Sequence, residues 1–265
     1  MMTLETYFGL SSPPFPKSAA KHALLMHPAL EQVLQRLQFA LARDTIALMV
    51  AESGCGKSTA LSLFAQSLDA ATYHVLSTSL TTLSAFSFIA HLVAAMGLPG
   101  RRFKGESAAA LLMHLRSQPK RTVILIDEAH LLPDSSLQDL RLLSADNLDR
   151  NSPFSLVLVG QPTLRDRIGE PQHYALWQRI GVRLRLRPLC QDEVKPFLER
   201  HLKAAGCKKP VFEQTAIAEI FHHSRGIPRL VQNLALESML SAMAANKPIV
   251  DAENVGQAVV DLDLT

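Results

Sequence analysis

Apolar residues along this chain fall into two kinds of pattern, and the change from one to the other divides it. Ile46-Ala47-Leu48-Met49-Val50 and Val123-Ile124-Leu125-Ile126 are short unbroken apolar runs. Such runs suit strands covered on both faces, as in a parallel sheet. Tyr73 to Ser77 and Ser155 to Val159 read as two more strands. Val182-Arg183-Leu184-Arg185-Leu186 alternates, which predicts a strand with one exposed face. Between the runs the spacing is helical: His27 to Ala42 (apolar at Leu30, Val33, Leu34, Leu37 and Leu41), Ser58 to Leu68, Leu83 to Met96, Ala108 to Ser117 and Leu137 to Asn147. Gly97-Leu98-Pro99-Gly100 ends the third of these. Strands that alternate with helices imply parallel pairing, because a parallel return needs a crossover.

From Gln191 the pattern changes. Val194 to Ala205, Gln214 to Ser224, Arg229 to Ala245 and Ala252 to Val260 read as helices, with no strand between them. The predicted fold is therefore α/β: a parallel sheet sandwiched by helices, followed by a small all-helical domain. The expected organisation is an arm over 1–20 packed on the core, an α/β domain over 21–189 and a helical domain over 190–265. The arm holds Tyr7-Phe8-Gly9-Leu10 and Pro13-Pro14-Phe15-Pro16. It is too apolar for a solvated tail, and its prolines argue against a helix there.

Composition agrees with one large domain and an appendage. The chain has 265 residues, 48% apolar, enough for a full core. Only 19% are charged, which argues against a long disordered tail. The net charge of +3 is too small to imply a polyanion, but its distribution is uneven. Residues 101–121 hold six Lys or Arg and one acid; residues 177–190 hold four Arg and no acid. The three cysteines, Cys55, Cys190 and Cys207, have neither metal-site nor disulfide spacing, which suits a reducing compartment. There is no leader pattern and no apolar stretch of about 18 residues, so no membrane span and a cytoplasmic location are expected.

Two stretches carry chemistry. Ala51-Glu52-Ser53-Gly54-Cys55-Gly56-Lys57-Ser58, followed by Thr59, lies between a predicted strand and helix. It fits the phosphate-loop pattern G-x-x-x-x-G-K-[ST], with Ala51 in place of the first Gly. In such a loop Gly54, Cys55 and Gly56 supply inward amides, and the following helix presents its N-terminus to phosphate. Lys57 would reach the β- and γ-phosphates of ATP, and the Ser58 hydroxyl would ligate Mg²⁺. Cys55 reads as filler in this loop. In the second stretch, Asp127 and Glu128 leave the C-terminal end of a buried strand, where ligands of open α/β sheets bind. Asp127 would hold Mg²⁺ through water, and Glu128 would polarise the attacking water.

The chain resembles an AAA+ ATPase, within it the ExeA-like and TniB/TnsC-like group, distant relatives of the Mu B protein. The resemblance rests on the two stretches above, on Tyr7-Phe8-Gly9-Leu10 with Pro14-Phe15, on Leu158-Val159-Gly160-Gln161-Pro162-Thr163-Leu164, on Trp177-Gln178-Arg179-Ile180 and on Gly226-Ile227-Pro228-Arg229. It implies that Gln161 is sensor 1. It also implies that Arg179 is an arginine finger acting on a neighbouring subunit's ATP, with Arg183 or Arg185 as the alternative. Arg229 would be sensor 2, at the start of a lid helix. The arm would wall the base pocket, cover the core or contact a subunit. A finger in trans implies a ring or a helical filament of copies.

Three roles stay open at this level. The first is an ATP-dependent regulator of transposition that loads on duplex DNA and recruits a transposase; Arg101, Arg102 and Lys104 would neutralise DNA phosphates. The second is an ExeA-type secretion ATPase. The chain stops at Thr265 with neither a membrane span nor a wall-binding region, which inclines the expectation toward DNA. The third is a non-catalytic nucleotide switch, against which Glu128 argues.

Overall fold

A computed structural model describes residues 3–16, 26–145 and 152–264. The chain opens with a short helix, α1 (Leu4–Phe8), capped by the Thr3 hydroxyl and closed by Gly9 in the left-handed region. The prolines begin after it, so they bound this helix rather than prevent it.

Two compact units follow from the contacts. The first takes in 29–53 and 57–186. Its five strands are β1 (Ile46–Val50), β2 (Tyr73–Thr78), β3 (Arg121–Ile126), β4 (Phe154–Gly160) and β5 (Ile180–Arg185). They form one sheet in the order β2-β3-β4-β1-β5, with every pairing parallel. β1 and β4 are buried along their whole length, as the unbroken apolar run of β1 predicts. β5 is an edge strand and alternates between buried and exposed residues.

The helices of this unit are α2 (Pro28–Ala42), α3 (Lys57–Ser67), α4 (Ala85–Ala95), α5 (Lys104–Ser117), α6 (Asp134–Leu143), α7 (Pro162–Ile168) and α8 (Tyr174–Arg179). α7 and α8 were not read from the sequence; each is too short to show a helical period. The predicted helix from Leu137 starts at Asp134 and ends at Leu143, and Asn147 lies outside the described residues. One apolar cluster joins β1, β3 and β4 to α4, α5 and α6 through Leu48, Ile124, Leu158, Phe88, Leu111 and Leu137.

The second unit holds α1 with α9 (Gln191–Ala204), α10 (Gln214–Ser224), α11 (Pro228–Ala244) and α12 (Ala252–Asp261). The phosphate-loop residues Gly54–Gly56 group with it. Its entry is pinned by Arg187, which donates to both carboxylate oxygens of Glu193 at 2.7 and 2.9 Å. That guanidinium holds the Glu193 carboxyl below its ordinary range.

The expectation that the arm packs on the core is corrected within this unit. Leu10 is buried in the helical cluster with Val194, Ile220 and Leu234, and Leu4, Phe8 and Phe15 pack against it. Ser11 N donates to the Ala205 carbonyl at 2.8 Å. The arm's apolar residues thus supply part of a core that four short helices would otherwise leave open.

His201 is buried in the same core, between Phe15 and Phe197 at ring distances of 5.5 and 4.7 Å. Burial pushes its imidazole down to about 4. The unfolded chain therefore takes up the proton first, and stability is lost as pH falls from about 6.5 toward 4. A His201→Phe variant should escape part of this loss. Its melting temperature relative to wild type should rise between pH 7 and pH 5 in thermal denaturation, and a difference independent of pH would refute this account.

Candidate functional site

All the strands run the same way, so the loops after β1, β3 and β4 leave one edge of the sheet together. β1 and β3 both pair with β4. The phosphate loop leaves β1, Asp127 and Glu128 leave β3, and Gln161 leaves β4. The Ala51 amide donates to the Gly160 carbonyl at 3.1 Å, which sets the loop's first residue beside the strand end that precedes Gln161. Gln161 is half-buried and directly precedes α7.

Gly54 and Gly56 have φ of 82° and 92°, the left-handed region that favours glycine. α3 begins at Lys57, so Lys57, Ser58 and Thr59 form its first turn. Amides of a first turn lack intrahelical acceptors and attract anions. Lys57 is only 6% exposed. Its ammonium donates to the carbonyls of Ala51 at 3.2 Å and Glu52 at 3.4 Å. Both partners are neutral, so this buried charge is stabilised by a bound anion far more than by the loop itself. Cys55 is buried.

The Ser58 hydroxyl donates to Asp127 Oδ2 at 2.7 Å. Asp127 Oδ1 accepts from the Glu128 amide at 2.8 Å, and the Asp127 amide is held by the Thr78 carbonyl at 2.8 Å. A hydroxyl and a carboxylate this close are a hard-oxygen donor set that fits Mg²⁺ together with phosphate oxygens. Glu128 has φ of 52°, a left-handed conformation that costs a non-glycine residue on the order of 1–3 kcal/mol. It directs the residue out of the strand line. Glu128 Oε2 lies 3.4 Å from His130 Nδ1. Gly160 makes room for this turn: a Cβ there would stand 3.1 Å from the His130 amide and 3.0 Å from Leu164.

Arg229 is brought to the phosphate loop within the second unit. Its amide donates to the Gly54 carbonyl at 3.2 Å, and a Cβ on Gly54 would stand 3.0 Å from the side chains of Arg229 and Ile227. Gly54 is therefore constrained by close approach as well as by φ. Gly226, at φ 71°, is also required, because a Cβ there would collide with the Leu189 backbone.

Arg179 stands elsewhere. It ends α8 just before β5, and the Thr45 hydroxyl donates to its carbonyl at 3.2 Å. That is the edge of the sheet where strands begin, and Ile46 pairs with Ile180 there. A strand of this length spans roughly 17–20 Å, so Arg179 does not reach Lys57 of its own chain. Arg183 lies over the Trp177 ring at 3.8 Å and donates to the Trp177 carbonyl at 2.7 Å. Arg101 and Arg102 are exposed ahead of α5. Lys104, the first residue of α5, pairs with Asp139 at 2.6 Å, which offsets its charge.

Sheet order and site together define the AAA+ P-loop fold, with a helical C-terminal region. Residues 41–168 match the family described as AAA domain. The chain is 33% identical over 247 residues to General secretion pathway protein A of Aeromonas hydrophila. That match takes in 90% of this chain and 44% of the relative, so the chain spans under half the length of that protein. Among solved structures, Cdc6p from Pyrobaculum aerophilum superposes with a TM-score of 0.71 at 18% identity, over 97% of this chain and 70% of that one. The Thermotoga maritima RuvB Holliday junction branch migration motor does so at 0.58 and 22% identity, over 90% and 70%. Identities this low show the fold alone.

The similarity to a secretion protein overturns the expected transposition role, with its duplex DNA and transposase partners. That expectation leaned on the chain's end at Thr265. A relative more than twice as long removes the argument, because this sequence matches only part of it. No helix among the described residues is long and apolar enough to cross a membrane.

Lys57→Met should separate fold from site. Removing a buried, uncompensated charge should leave the nucleotide-free protein melting at or above the wild-type temperature. Saturating Mg-ATP should raise the wild-type midpoint by roughly 5–10 °C and leave the variant unmoved. A similar ATP shift in both proteins would show that Lys57 does not bind phosphate.

Proposed function

We propose that this chain is the ATP-hydrolysing part of a secretion-pathway ATPase of the ExeA type, working as an assembly of copies. The observation that carries the reading is the Ser58–Asp127 pair at 2.7 Å, beside the buried ammonium of Lys57. The 33% identity to a general secretion pathway protein favours the secretion role.

In this reading the amides of Gly54, Cys55 and Gly56 and the first turn of α3, with Thr59, receive the phosphates of ATP. Lys57 offsets the charge of the β- and γ-phosphates. Ser58 and Asp127 would hold Mg²⁺, which supplies charge neutralisation at the phosphates when bound. Glu128 takes the proton from the attacking water, and Gln161, whose amide both donates and accepts, orients that water. Arg229, whose amide bonds the Gly54 carbonyl, is the candidate sensor 2.

The finger comes from a neighbour. Arg179 stands at the opposite edge of the sheet from its own phosphate loop, so a role on ATP requires a second copy. Arg183 is committed to Trp177, which leaves Arg185 as the other exposed candidate on β5.

Glu128→Gln should bind ATP and turn it over at least about 100-fold more slowly than wild type. Retention of the wild-type rate in a phosphate-release assay would remove Glu128 from the chemistry. Arg179→Ala should lose about 10³-fold or more in rate. Mixing it with inactive Lys57→Ala subunits should restore activity; a mixture as dead as its parts would refute action across an interface. In the host, replacement by Lys57→Ala should abolish appearance of the pathway's secreted proteins in the medium. Normal secretion would defeat the secretion reading and leave the ATPase reading standing.

A further inference from the structure

Side chains outside the nucleotide motifs converge on the turn that carries Glu128. Arg167, on α7, donates through Nη1 to the His130 carbonyl at 2.8 Å and through Nη2 to the Leu132 carbonyl at 2.5 Å. Its Nε lies 3.2 Å from Asp134 Oδ1, at the start of α6. The same oxygen lies 3.0 Å from His173 Nε2. His173 is 1% exposed. The Gln138 side-chain amide reaches the Gln172 carbonyl at 2.8 Å and His173 Nδ1 at 3.4 Å. One tautomer satisfies both contacts: Gln138 donates to Nδ1, and Nε2–H donates to Asp134.

We infer that Arg167 is a positioning residue for Glu128, anchored by Asp134 and His173. The inference rests on the reading of Glu128 as the base. Glu128 occupies a left-handed conformation, and such a residue keeps it only when its surroundings hold it. Those surroundings are distinct. Upstream, the Glu128 amide bonds Asp127 Oδ1. Downstream, the planar fork of Arg167 spans the carbonyls of His130 and Leu132 and a carboxylate. Lysine, a point charge, does not reproduce that geometry. α7 begins directly after Gln161, so the same guanidinium ties the Glu128 turn to the helix that follows Gln161. The anchor also runs toward the candidate finger, because His173 directly precedes α8, the helix that ends in Arg179.

The test uses the full chain, with Arg167→Gln and Arg167→Lys beside wild type and Glu128→Gln. Four quantities are measured: ATP turnover, affinity for a fluorescent ATP analogue, melting temperature and amide hydrogen exchange over 128–132. Arg167→Gln should lower kcat by about 100-fold, because a misplaced base loses that much, and change nucleotide affinity by less than about threefold. Exchange over 128–132 should accelerate about tenfold or more, with the rest of the sheet unit unchanged. Arg167→Lys should fall between, and it stands in if the Gln variant does not fold. An unchanged kcat overturns the inference, as does a kcat loss matched by equal losses of affinity and of global protection. If wild type does not hydrolyse ATP, the ATPase reading fails on that arm alone. Exchange then decides: selective loss of protection at 128–132 supports the holding role of Arg167, and unchanged protection refutes it.

Discussion

A lysine ammonium buried at the end of an interior strand, with neutral carbonyls as its hydrogen-bond partners, is the constraint around which this molecule is organised. Lys57 is the first residue of α3, so its charge adds to the positive end of a helix macrodipole of roughly half an elementary charge. Both call for an anion, and Gly54 and Gly56 hold the loop beside them in left-handed conformations. The parallel sheet makes this possible. It puts β1, β3 and β4 side by side and sends their following loops to one edge. Ser58 and Asp127, 69 residues apart, then meet at hydrogen-bond distance.

The turn at Glu128 is held by a different balance. The left-handed conformation of Glu128 costs on the order of 1–3 kcal/mol. Each hydrogen bond from a charged donor returns about 1.5–3 kcal/mol, and Arg167 makes two to the same turn. The bonds therefore outweigh the strain, and the turn stays where Gly160 leaves room for it. Site and scaffold are not separable here. A methyl group on Gly160 or a shorter cation at position 167 acts on Glu128 without touching it.

Function is decided at a different level from fold. The same sheet order occurs in Cdc6p and in the RuvB motor, at identities that carry no more than architecture. The basic run at Arg101 and Arg102 suggested DNA, but charge at a loop is compatible with many partners, and Lys104 is already paired. The secretion relative, matched over most of this chain, redirects the reading. The arm shows a related point: Phe8, Leu10 and Phe15 are apolar enough to pack anywhere, and they complete the helical unit's core.

Much of the molecule was legible from local pattern. Unbroken apolar runs identified the buried strands β1 and β3, and alternation identified β5, because burial on two faces or one writes itself directly into the chain. The loop pattern and the acidic strand end pointed to one candidate site, because phosphate and Mg²⁺ chemistry would need such residues at fixed spacing, and the structure brings Ser58 and Asp127 together. The short helices α1, α7 and α8 were not, since one or two turns show no period. Nor were Arg167, Asp134 and His173, whose hydrogen bonds join residues 35 to 39 positions apart and match no motif. Their role depends on α7 lying against the end of β3. The need for Gly54 and Gly160 likewise comes from what approaches them. The sequence by itself determined the longer elements and the residues of the candidate phosphate site, because those follow from patterns local to the chain. The tertiary structure alone decided what holds the Glu128 turn and where the arm packs, because those are set by contacts between segments distant in sequence.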